Sequence, residues 1–117
     1  MLNLDRVEVI DPSQELAPKP LRELIEALLE QGRISLGVAP RGSGDPRSHA
    51  EQRMDERFIT AEQIRQTLLK GRLNTESLER GSWRYCATRQ GIRVIFTFDQ
   101  DDEGNVLVVI TAIRSNQ

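Results

Sequence analysis

Histidine and cysteine each occur once in this chain, lysine twice, and aromatic residues five times among 117. Each scarcity excludes something. A single cysteine, Cys86, allows neither an internal disulfide nor a zinc cluster, and it fits a reducing cytoplasm. With so few aromatics, nucleic-acid binding on a row of stacking platforms is excluded. No apolar run approaches the length of a membrane span. The first residues lack a basic stretch leading into an apolar one, so no signal peptide and no membrane partner are expected. Gly42, Ser43 and Gly44 form too short a glycine loop to cradle phosphates, and the Lys-Ser/Thr that would complete one is missing. One histidine without a supporting motif gives no Ser-His-Asp triad. No metal site and no cofactor are expected.

What is present is arginine. There are fourteen, and their distribution is uneven. Residues 1–40 carry a net charge of −3, residues 41–98 of +4 and residues 99–117 of −3, which together give the −2 of the whole chain. The planar guanidinium matches phosphate in two-point contact, where lysine acts as a point charge. A GC-rich genome would also favour arginine, but it does not account for spacing. His49, Arg53 and Arg57 recur at steps of four, so on a helix they share one face. One titratable imidazole backed by two permanent cations suits a phosphate-bearing ligand, and could do proton chemistry on one. A histidine at a helix start is otherwise a surface or capping residue, and the arginines could pair with Glu51, Asp55 or Glu56.

The pattern of elements predicts an α+β fold. Residues 3–10 read as a short strand or extended arm. Pro20 suits the first position of a helix over 20–31, whose apolar residues Leu21, Leu24, Ile25, Leu28 and Leu29 form one stripe; Gly32 ends it. Residues 34–38 alternate as a short strand, and 39–48 read as a loop. Ser48 then caps the helix carrying His49. Thr60 and Gln63 fit a capping box for a helix over 61–70, stopped by Gly71. Residues 83–89, 92–98 and 106–113 read as strands joined by a turn at Gln90-Gly91 and a solvated loop at 99–105. The expectation is helices packed on an antiparallel sheet of three to four strands. Residues 1–47 would be an N-terminal extension and 48–117 the body. The amphipathic helix at 20–31 would pack on that body or on a second copy, which allows a homodimer.

Several strand residues are candidates to complete a site around the helical stripe. Tyr85 is a second proton donor to join His49, Arg53 and Arg57 as catalytic residues. Arg84, Arg93, Thr111 and Arg114 are candidate binding residues, with Arg93 facing away from Ile92 and Val94. RNA cleavage without metal needs a base for the 2′-hydroxyl, an acid for the departing oxygen and cations for the crowded phosphorane.

The segment His49-x-x-x-Arg53-Met54-x-x-Arg57-x-Ile59-Thr60 resembles the opening of a bacterial family catalogued as domain of unknown function forty-two fifty-eight. The resemblance covers about residues 48–114. That family looks similar to the BrnT and RelE-like ribonuclease toxins, and Ile110-Thr111-Ala112-Ile113-Arg114 is similar to the last strand of BrnT-type toxins. The resemblance implies a RelE/BrnT-like fold, RNA as substrate, an antitoxin or immunity protein as partner, and His49, Arg53, Arg57 and Arg114 as site residues. Toxins of this type are usually strongly basic, and this chain is slightly acidic, so the cationic patch would have to be local. Three readings follow: a metal-independent endoribonuclease; a non-catalytic module that binds phosphate, nucleic acid or protein with the same helix face; and a stripe paired internally with carboxylates.

Overall fold

The computed structural model describes residues 9–36, 51, 52, 54 and 59–114. They form two helices and a five-stranded sheet: α1 (Pro18–Glu30), β1 (Ile34–Ser35), α2 (Ala61–Lys70), β2 (Arg72–Glu79), β3 (Ser82–Arg89), β4 (Ile92–Asp101) and β5 (Gly104–Arg114). Glu51, Gln52 and Met54 are also helical, and the Ile59 N–H closes on the Met54 carbonyl at 2.9 Å. No helix among the described residues is long and apolar enough to cross a membrane.

Local chemistry sets the helix ends. α1 begins two residues before its expected start, with Pro18 and Pro20 in the first turn, where a missing N–H costs nothing. Its C-terminus is a Schellman motif. Gly32 takes φ +71°, its N–H reaches the Leu29 carbonyl at 3.2 Å, and the Arg33 N–H reaches the Leu28 carbonyl at 2.8 Å. α2 has the predicted capping box. The Gln63 N–H donates to the Thr60 hydroxyl at 3.1 Å, and the Thr60 N–H donates to the Gln63 side chain at 2.8 Å.

The expected sheet of three to four antiparallel strands is corrected in two ways. The order is β1-β5-β4-β3-β2, and β1 runs parallel to β5, with Ile34 beside Leu107 and Ser35 beside Val108. The missed strand is β2. It lies at the sheet edge, is exposed along most of its length and is broken by a bulge between Thr75 and Ser77, so no clean alternation marks it in the sequence. The turns at Arg80-Gly81 and Gln90-Gly91 have positive φ at both positions, the backbone of a type I′ hairpin. The expected loop at 99–105 is mostly strand, with Asp101 paired to Gly104. At the N-terminus, Val9 and Ile10 are not in a strand, and residues 3–8 and Val38 lie outside the described residues.

Both helices lie on one face of the sheet. Leu21, Leu24, Ile25, Leu28 and Leu29 of α1 and Ile64 and Leu68 of α2 meet Tyr85, Ala87, Val94, Phe96, Phe98, Leu107, Val109 and Ala112 in one core. Tyr85, Phe96 and Phe98 form a ring cluster with centroids 5.8 Å apart. Two arginines tie these elements together, one helix to helix and one helix to sheet. Arg22 of α1 donates to the carbonyls of Leu68, Leu69 and Gly71 at the end of α2. Arg33 donates to the Asn105 carbonyl at 2.8 Å and pairs with Asp101, holding the β4-β5 hairpin to the foot of α1. The Asn105 side chain in turn accepts the Ile10 N–H at 3.0 Å.

Candidate functional site

The alternation of strand side chains decides which candidate residues can meet. Tyr85 shares the helix side with Ala87, Val94 and Phe96, whereas Arg84, Cys86 and Thr88 point to the outer face. Arg93 is paired with Thr88, and Thr111 with Ile95, so both belong to the outer face as well. Arg93 faces away from Ile92 and Val94, as expected. Its outward direction separates it from anything the helices carry.

The outer-face arginines are engaged. Arg93 donates to both carboxylate oxygens of Glu76, at 2.6 and 2.7 Å, and through Nε to the Cys86 sulfur at 3.0 Å. Those two partners, Cys86 first, raise its pKa above the usual arginine value. Arg84 pairs with Glu79 at 3.7 Å. Thr111, on the same face of β5, is half-buried.

Tyr85 does not reach a surface site. It is 2% exposed, and its hydroxyl accepts the Leu16 N–H at 3.0 Å. Burial raises its pKa above 10, against a smaller lowering from the Leu16 bond. In the folded chain the phenol satisfies a backbone donor just ahead of α1. Replacing Tyr85 by Phe should lower stability by about 1 kcal/mol, the cost of a half-buried donor that loses its partner. Because the folded pKa lies above the unfolded one, the wild type should also lose stability as the pH climbs past the unfolded value, toward the folded one. In the Phe variant that part of the alkaline loss should vanish. Paired denaturation curves at neutral and alkaline pH measure both effects.

Arg114 is placed differently. It lies on the helix side at the end of β5, opposite Ile92, and Ile92 also faces Arg89 at the end of β3. Arg89 and Arg114 thus flank Ile92 on successive strands, with backbones about 10 Å apart, two strand spacings. They line a groove of about 150 Å³ with Glu62, Gln63, Gln66 and Thr67 of α2 and with Gln90. The capping box orients the start of α2 against this end of the sheet. Glu62 accepts from Gln66 at 2.8 Å and lies 3.7 Å from Arg65, and Thr67 donates to the Gln63 carbonyl at 2.7 Å. Arg89 donates to the Gln90 side chain at 3.3 Å. Two guanidinium groups and the neutral polar side chains of Gln63, Gln66 and Thr67 line this mouth together with one carboxylate, that of Glu62, so two cations face one anionic side chain. A larger groove of about 420 Å³ between α1 and β2 carries the Glu15 carboxylate and, among the described residues, no cation.

Of the predicted site residues, then, Arg114 lines the groove, Arg84, Arg93 and Thr111 lie across the sheet from it, and Tyr85 lies in the core. His49, Arg53 and Arg57 are outside the described residues. Of the described residues near them in sequence, Met54 packs against the core and Ile59 is buried, immediately before the capped start of α2. Arg89 was missed. Counting by twos from Ala87 assigns it to the helix side.

The family model described as Domain of unknown function (DUF4258) matches residues 47–114, and the chain belongs to that family. No curated protein and no solved structure matches it. The matched stretch contains every residue lining the groove, whereas α1 and β1 precede it.

Proposed function

We propose that this member of the DUF4258 family is a metal-independent endoribonuclease of the toxin type, with RNA phosphate seated in the groove beside α2. The observation that carries this reading is the pair Arg89 and Arg114, flanking Ile92 at the end of the sheet and facing α2. A phosphodiester there meets two guanidinium groups. The chain segment that carries His49, Arg53 and Arg57 leads directly into α2. In this reading Arg53, Arg57, Arg89 and Arg114 hold the phosphate, His49 takes the proton of the 2′-hydroxyl as its oxygen bonds to phosphorus, and water protonates the 5′-oxygen that departs as its P–O bond breaks. The RelE- and BrnT-like character of the fold, a cytoplasmic site of action and a cognate antitoxin belong to the same proposal.

The placement of Tyr85 favours a second reading, a binding module without catalysis. With the phenol committed to Leu16, the tyrosine that was to supply a second proton-transfer group is absent from the groove.

The test is RNA incubated with pure protein in the presence of a chelator. Cleavage should persist, and His49→Ala should slow it by about 100-fold or more, the usual weight of acid–base catalysis. Arg114→Ala should weaken RNA binding about tenfold, with binding that falls as salt rises. Intact RNA with salt-sensitive binding lost in Arg89→Ala/Arg114→Ala would select the binding module. Intact RNA and no binding would reject both.

A further inference from the structure

The sheet order leaves β2 at an edge, with one side of its backbone unpaired by any described strand. Natural edge strands are usually blunted by charge or by a bulge. β2 has both, yet two of its side chains are poorly served within the chain. Arg72 is exposed and makes no ion pair among the described residues. Leu78 is 51% exposed although it lies on the helix side of the sheet, opposite Trp83.

The bulge changes what the strand can pair with. Before it, Leu73 faces the helix side, opposite Ala87, and Arg72 and Asn74 face outward, opposite Thr88 and Cys86. After it, the parity is reversed: Leu78 faces the helix side, opposite Trp83, and Ser77 and Glu79 face outward, opposite Arg84 and Ser82. Two copies of β2 placed antiparallel about a two-fold axis through the bulge then match face to face. Arg72 meets the second copy's Glu79, Leu73 meets its Leu78, and Asn74 meets its Ser77. In an unbulged strand this register would put the members of every pair on opposite faces.

We infer that the β2 edge is a self-association surface, and that a second copy of this chain is its occupant. Pairing joins two five-stranded sheets into one, covers the exposed Leu78 with an aliphatic partner and gives Arg72 an opposite charge. A symmetric interface presents each of these contacts twice. This surface is separate from the arginine groove and does not depend on its function.

The test uses charge reversal and mixing, read by sedimentation equilibrium. The wild type should dimerise reversibly. Arg72→Glu and Glu79→Arg, each alone, should raise the dissociation constant by about ten- to a hundredfold, since like charges then face each other at both symmetry-related positions. An equimolar mixture of the two variants should form heterodimers with near wild-type affinity, because every cross-strand pair is again opposite. Circular dichroism of each variant confirms that the fold is kept. A wild type that stays monomeric up to millimolar concentration overturns the inference. So does a dimer that neither substitution weakens, or a mixture that does not recover.

Discussion

Arg22→Ala should lower the stability of this protein by about 3 kcal/mol, although the residue lies on the polar side of an amphipathic helix. Its guanidinium reaches from α1 to the last carbonyls of α2, at 2.9 Å from Leu68 and 2.6 Å from Gly71, with Leu69 also accepting. The end of a helix leaves carbonyls without partners and carries partial negative charge, so one cation satisfies several of them together. Hydrogen bonds to charged groups are each worth about 1.5–3 kcal/mol, but three from one group do not add fully. A loss of this size should lower the melting temperature by about 10–15 °C for a domain this small. Arg22→Lys keeps the charge but not the planar fork, and should recover only part of the loss. A thermal melt in which the Ala variant matches the wild type would show that water replaces the guanidinium without cost.

Gly71→Ala should be at least as damaging, by about 3 kcal/mol, for a different reason. The backbone of Gly71 is in an ordinary extended conformation that any residue can adopt. The difficulty is space. A Cβ there would lie 2.4 Å from the Thr67 carbonyl oxygen and 2.8 Å from that of Thr88. Both are main-chain atoms, so no rotamer change relieves them; α2 must move away from β3. That movement also pulls the Gly71 carbonyl from Arg22, so the two substitutions should combine with less than additive loss. Chemical denaturation of the two single variants and the double variant measures the coupling. Full additivity would mean that the junction is not a single cooperative unit.

The elements that could be read from sequence were those whose own residues specify them. The Thr60-Gln63 box announced α2, the leucine stripe announced α1, and β-branched runs announced β4 and β5. β2 announced nothing, since a strand exposed at an edge needs no apolar alternation and its bulge breaks whatever period it has. The parallel pairing of Ile34 with Leu107 depends on contacts between distant parts of the chain, and no local signal encodes it. In the candidate site, the outward direction of Arg93 was legible from alternation. The same rule, applied to Tyr85 and Arg89, assigns the first to the core side and the second to the groove. The chemistry of a phenol suggests proton transfer for Tyr85, whereas its hydroxyl accepts from a half-buried backbone N–H.

The location of the core partners of α1 has a consequence for how the protein is made. The helix is synthesised before Phe96, Leu107, Val109 and Ala112, which are part of the surface that receives its leucines and belong to β4 and β5. The chain must be translated as far as Ala112 before that stripe has its full covering. A nascent chain at that stage carries an uncovered amphipathic helix, the kind of surface on which chaperones act.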